Sequence, residues 1–258
     1  MSLEPNPSAD DHLSAKRATR RAITFGLGGA AIAALAPPFS TPAHAQAGAS
    51  AAGWPSRAIR IIQPFGAGGG GDIVSRLLAE KLQAELGQPV VVENRPGAGG
   101  NIGAQLAARQ TPDGYTMMIT AGGFAIAPSL FKTLGYDPFK DFAPVTKIAV
   151  APLVVLVRAD SPIRTMADLV ALAKKDPKAV NYGTAGIGGI NHLGTELFAS
   201  AAKIEMTHVP YKGIGHAFTD LMGGSLQMTL PTLASVLPHV RGGKMRALAI
   251  TSAARSPL

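Results

Sequence analysis

The sequence predicts an α/β protein of two lobes with a ligand cleft between them. Short apolar strands alternate with amphipathic helices from Trp54 onward. The alternation is laid down twice, in two successive stretches, and in both a glycine-rich loop separates a strand from the helix after it.

In the first stretch, Ile59 to Phe65 reads as a strand closed by a glycine turn. Asp72 then caps a helix with Ile73, Val74, Leu77, Leu78, Leu82 and Leu86 on one face, and Gly87 stops it. Pro89 to Glu93 is a short apolar strand of the kind buried in a parallel sheet, Asn101 opens a second helix, and Tyr115 to Thr120 is a third strand.

The second stretch repeats the logic. Leu153 to Val157 is a strand, and Thr165 with Asp168 gives a capping-box start to a helix that ends at Asp176-Pro177. Val180 to Gly183 is a strand, and Asn191 to Ala202 a helix with Leu193 and Leu197 on one face. A strand at Glu205 to Val209, a helix around Ala217 to Met222 and a strand at Leu226 to Leu230 follow. A helix from Thr232 to Val240 and a strand from Met245 to Thr251 complete the pattern.

The composition of the 258 residues, 47% hydrophobic and 16% charged, excludes wholesale disorder and provides for a real core. The lack of cysteine excludes disulfides, thiolate metal sites and cysteine nucleophiles. The net charge of +8 is scattered, with no basic stripe and no aromatic interleaving, so no nucleic-acid partner is expected.

Residues 1–45 read as an export signal. Lys16, Arg17, Arg20 and Arg21 precede an apolar run from Ala22 to Ala36, and Ala43-His44-Ala45 has the small residues a signal peptidase accepts. That run of 15 residues is shorter than the roughly 20 that span a bilayer. The segment around Arg20-Arg21 resembles a twin-arginine signal, with the general export route also open. The expected location is outside the cytoplasm, and the family resemblance described below narrows it to the periplasm.

The most prominent motif is Phe65-Gly66-Ala67-Gly68-Gly69-Gly70-Gly71-Asp72. It formally satisfies G-x-G-x-x-G, with Glu93 at the end of the next strand, which is a dinucleotide fingerprint on paper. Five glycines in six positions match almost any glycine pattern, however, and Pro64 interrupts the approach. A glycine loop at a helix start also exposes backbone N–H groups beside a partial positive charge, which suits a carboxylate or phosphate. Gly97-Ala98-Gly99-Gly100-Asn101 and Gly183-Thr184-Ala185-Gly186-Ile187-Gly188-Gly189 repeat the device, so backbone capture of an anion is the favoured reading and a dinucleotide-binding enzyme the alternative.

The segments PFGAGGGGD (64–72), VVENRPGAGGNIGA (91–104), PDGYT (112–116), NYGTAGIGGINHLGTELF (181–198), HVPYKG (208–213) and RALAITSAARSP (246–257) resemble the substrate-binding receptors of tripartite tricarboxylate transporters, the Bug-type family. The resemblance implies a type II periplasmic-binding-protein fold whose two lobes close on a small organic carboxylate. It also implies membrane transporter subunits as partners, no cofactor, no metal and a monomeric, non-enzymatic receptor. Carried onto this chain, Phe65, Gly66, Ala67, Gly68, Gly69, Gly70 and Gly71 would form the first-lobe cradle, with Thr120, Ala121 and Gly122 beside it. Thr184, Gly186 and Gly189 would supply the second-lobe loop, and Tyr211, Lys212, Gly213 and Asp220 its wall. His192 is either a ligand contact or a packing and capping residue of its helix.

The domain reading is a signal peptide over 1–45, lobe 1 over 46–150, lobe 2 over 151–250 and the start of a return crossover over 251–258. The family pattern continues past Leu258 and returns to the first lobe, so the resemblance implies a C-terminally truncated sequence with lobe 1 lacking its last part. His192, His208, His216 and His239 show no metal-ligand spacing, and Ser200-Ala201-Ala202-Lys203 lacks the partner motifs of a serine-lysine enzyme.

Overall fold

A computed structural model describes residues 53–257; the expected signal peptide lies outside them. The first lobe holds β1 (Ile59–Gln63), α1 (Gly70–Leu86), β2 (Val90–Asn94), α2 (Asn101–Ala108), β3 (Thr116–Met118) and α3 (Gly123–Leu130). Its three strands pair in the order β2-β1-β3, all parallel. Ile59, Ile61 and Val90 pack there against Ala79, with Leu82 and Leu86 of α1 closing the cluster.

The second lobe holds β4 (Val154–Arg158), α4 (Met166–Lys175), β5 (Asn181–Thr184), α5 (Ile190–Ala202), β6 (Thr207–Pro210), α6 (Ile214–Gly223), β7 (Met228–Thr229), α7 (Leu233–Arg241) and β8 (Met245–Ile250). The sheet order is β6-β5-β7-β4-β8. β4 is buried on both faces, and its pleat divides the core. Val155 and Val157 join Leu169, Tyr182 and Met228 on one side, while Val154 and Leu156 join Ala217, Phe218, Leu221 and Val236 on the other.

Four details depart from the sequence expectations. The second sheet is mixed: β4 runs antiparallel to both β7 and β8, whereas β5 is parallel to β6 and β7. β4 enters from the first lobe between two strands and is not bound by the parallel βαβ rule. α1 begins at Gly70 with Gly69 as N-cap, so Asp72 lies inside the first turn instead of capping it. α3, which carries Pro128 inside it, was not among the expected elements. Leu77 and Leu197 are 59% and 72% exposed, so the apolar stripes of α1 and α5 extend beyond the cores they meet. The capping box of α4 does form, with the Thr165 hydroxyl accepting from the Asp168 N–H and Asp168 accepting from the Thr165 N–H.

Candidate functional site

In the first-lobe loop, the Asp72 carboxylate, 4% exposed, accepts from the Gly68 N–H at 3.0 Å, Asn94 Nδ2 at 2.9 Å and Arg76 Nε at 3.1 Å. Asn94 also donates to the Phe65 carbonyl at 3.0 Å. Burial works against the charge on Asp72, but the bonds from Arg76, Gly68 and Asn94 prevail and hold its pKa below the ordinary 3.8. Asp72 therefore clamps the loop from below. The first intrahelical bond of α1 runs from the Ile73 N–H to the Gly69 carbonyl, so the N–H groups of Gly70, Gly71 and Asp72 precede it, at the positive end of a 17-residue helix.

The second-lobe loop is held in the same manner. Thr184, fully buried, accepts from the Gly186 N–H at 3.2 Å and pairs with His208 Nε2 at 2.7 Å. The Gly188 N–H donates to His192 Nδ1 at 3.3 Å, which leaves the proton of a neutral His192 on Nε2. The two imidazoles lie 4.3 Å apart, and His208 stacks on Tyr182 at 4.9 Å. Burial foremost, then the neighbouring His192, depresses the His208 pKa to about 4. The first bond of α5 runs from the Leu193 N–H to the Gly189 carbonyl, so the N–H groups of Ile190, Asn191 and His192 precede it.

The cleft between the lobes holds a cavity of about 80 Å³. From the first lobe it is lined by Gln63, Phe65, Gly66, Gly69, Gly70, Gly71, Ile119, Thr120 and Ala121; from the second by Ala185, Ile190, Asn191, Ile214 and Thr232. None of these side chains is charged. An anion here would be met by the backbone amides and dipoles of α1 and α5 and by hydroxyl and amide groups, inside an otherwise apolar wall.

Of the residues expected at the site, Phe65, Gly66, Gly69, Gly70, Gly71, Thr120 and Ala121 line the cleft. Ala67, Gly68 and Gly122 lie outside the lining. Thr184 and His192 serve the glycine loop, and Tyr211 donates to Asp220 Oδ2 at 2.6 Å, bracing the wall instead of facing the cleft. Lys212 is exposed. Gly186, Gly189 and Gly213 also lie outside the lining, and two of these mark where the lobes meet. A Cβ on Gly186 would stand 2.8 Å from the Gly99 nitrogen, and one on Gly213 would stand 2.9 Å from Gly66 Cα. Part of the glycine content thus allows backbone-to-backbone contact between lobes. Sequence reasoning missed Gln63, Ile119, Ala185, Ile190, Asn191, Ile214 and Thr232, whose convergence depends on lobe packing. The N-terminal position of Ile190 and Asn191 on a helix after a glycine loop was the one usable signal.

The dinucleotide alternative loses its supports. Gly66 faces Gly213, and Glu93 is engaged by Arg60 at 3.2 Å and by Arg95. Among the described residues no group of three or more His, Cys, Asp or Glu could hold a metal ion, and no helix is long and apolar enough to cross a membrane.

Two α/β lobes around a cleft fed by helix N-termini define the periplasmic-binding-protein class. The chain belongs to the tripartite tricarboxylate transporter family receptors, whose profile matches residues 74–257. It is 38% identical over 220 residues to the protein BugT of Bordetella pertussis, covering 84% of this chain and 68% of that one. Among solved structures it is similar to Rhodopseudomonas palustris Rpa4515 with adipate, at 38% identity and a TM-score of 0.75, covering 78% of this chain and 68% of that one. It is also similar to MatC from Rhodopseudomonas palustris with bound malate, at 31% identity and a TM-score of 0.74, covering 79% and 70%. The chain spans between 58% and 68% of the length of the first curated relatives it matches.

Proposed function

We propose that this protein is an extracytoplasmic receptor that captures a small organic carboxylate in the cleft between its lobes and delivers it to a tripartite tricarboxylate-type membrane transporter. It acts by binding alone, as a monomer, without metal or cofactor, after export through the leader in residues 1–45. The observation that carries the reading is the convergence of the α1 and α5 N-termini on a cleft whose lining has no charged side chain. The adipate and malate held by the two Rhodopseudomonas palustris proteins support a carboxylate as the ligand class.

A thermal-shift panel of mono-, di- and tricarboxylates tests it. One or more acids should raise the melting temperature saturably, since ligand at a hundredfold excess over Kd stabilises by about 2.7 kcal/mol. A response to NAD(H) and to no carboxylate would overturn it.

A further inference from the structure

Gln63 is the last residue of β1, 1% exposed, and is among the residues that line the cleft. Its amide nitrogen donates to Ser75 Oγ at 2.9 Å, and the Ser75 hydroxyl donates its own proton to the Gly71 carbonyl at 2.7 Å. That chain fixes the amide orientation: the serine oxygen needs a donor, so the nitrogen of Gln63 faces Ser75. Gln63 Oε1 is left buried with no hydrogen-bond partner among the described residues. The other amide in the cleft is engaged, Asn191 Nδ2 donating to the Leu230 carbonyl at 2.6 Å.

The position of the orphan acceptor is informative. A Cβ on Gly71 would lie 3.4 Å from Gln63 Oε1, so the acceptor stands beside the first turn of α1, where the amides offer a place to a carboxylate. A ligand whose carboxyl group met those amides would have to carry its donor close to that group to reach Gln63. An ammonium could donate too, but no carboxylate side chain lines the cleft to balance its charge. A hydroxyl carries the donor without the charge.

We propose that Gln63 makes this receptor selective for 2-hydroxy carboxylates over carboxylates without that hydroxyl. The inference rests on the carboxylate-binding reading and names the class within it. A buried acceptor left unpaired by the wrong ligand is expected to weaken that ligand by about tenfold or more.

The test is calorimetric titration of the full chain with matched acids: malate against succinate, lactate against propionate, and mandelate against phenylacetate. In each pair that binds, the hydroxy acid should bind about tenfold tighter or more, and Gln63→Met or Gln63→Leu should bring the pair within about twofold. Equal binding within the pairs by the wild type, a preference that survives both substitutions, or aspartate binding tighter than malate would each overturn the proposal. The wild-type comparison stands even if neither variant folds. Binding of acids without hydroxyl preference removes only this inference, whereas no binding by any acid removes the carboxylate reading as well.

Discussion

Gly66 in the first lobe and Gly213 in the second meet backbone to backbone: a Cβ on Gly66 would stand 3.0 Å from Gly213 Cα. Gly213 is extended, at φ −172° and ψ 154°, a conformation any residue adopts, so its smallness serves the contact between lobes and not a turn. Gly66→Ala or Gly213→Ala should hold the lobes apart at the cleft. Overpacking of about 1–3 kcal/mol corresponds to roughly a five- to 150-fold loss of affinity for whichever acid binds. Calorimetry measures it, with little change expected in the melting temperature of the unliganded protein.

Asp72 predicts a separable effect. Asp72→Asn removes the charge that draws Arg76, Asn94 and the Gly68 N–H together, and should destabilise the protein by about 1.5–3 kcal/mol while weakening acid binding. Because the folded pKa of Asp72 lies below its ordinary value, its contribution is present above the unfolded pKa and is lost as pH falls through the folded one. Chemical denaturation at pH 7 and pH 3 should therefore show the variant losing less between the two than the wild type.

The glycine loops, the β-α alternation and the β4 core strand were legible because each rests on local chemistry: periodicity, caps and the need for exposed amides. The reversal of β4, the exposure of Leu77 and Leu197, and the placing of Thr184 beneath a loop were not. Each depends on which surfaces are brought together by packing far along the chain. Gln63 was illegible for the same reason, since its neighbours Ser75 and Gly71 come from the next helix and nothing in Ile62-Gln63-Pro64 points to them. The glycines carry two messages in one pattern, amide exposure at Gly71 and lobe contact at Gly66, Gly70, Gly99 and Gly186, and the sequence cannot separate them.

The histidine pair predicts an acid sensitivity. His208 is neutral in the folded protein down to about pH 4, against an ordinary value of 6.5, so below that value the unfolded chain takes up a proton that the folded chain refuses. Stability should fall as pH drops from 6.5 toward 4 and level off below. His208→Asn should flatten this dependence, read as a smaller loss of melting temperature between pH 7 and pH 4.5. An unchanged slope would show that His208 is not the group responsible.

Residues 1–45 predict a processed product. Intact mass of protein recovered from the periplasm of an expressing bacterium should correspond to a chain starting at Gln46, and an unprocessed chain confined to the cytoplasm would contradict export.

Gly69 offers a steric control on the site itself. A Cβ there would stand 3.4 Å from Ile214 Cγ2 across the cleft, so Gly69→Val places two further methyl groups between α1 and the second lobe. Acid binding should be lost, with circular dichroism unchanged. Retained affinity would show that the loop is only a turn.

The most direct measurement follows the amides themselves. Protein labelled on glycine nitrogen, titrated with the acid that gives the largest thermal shift, should show saturable displacement of the Gly70 and Gly71 resonances, together with a glycine of the second-lobe loop such as Gly188 or Gly189, all with one dissociation constant. Assigned glycine resonances that stay in place while the acid binds would contradict capture by the helix N-termini of the two lobes.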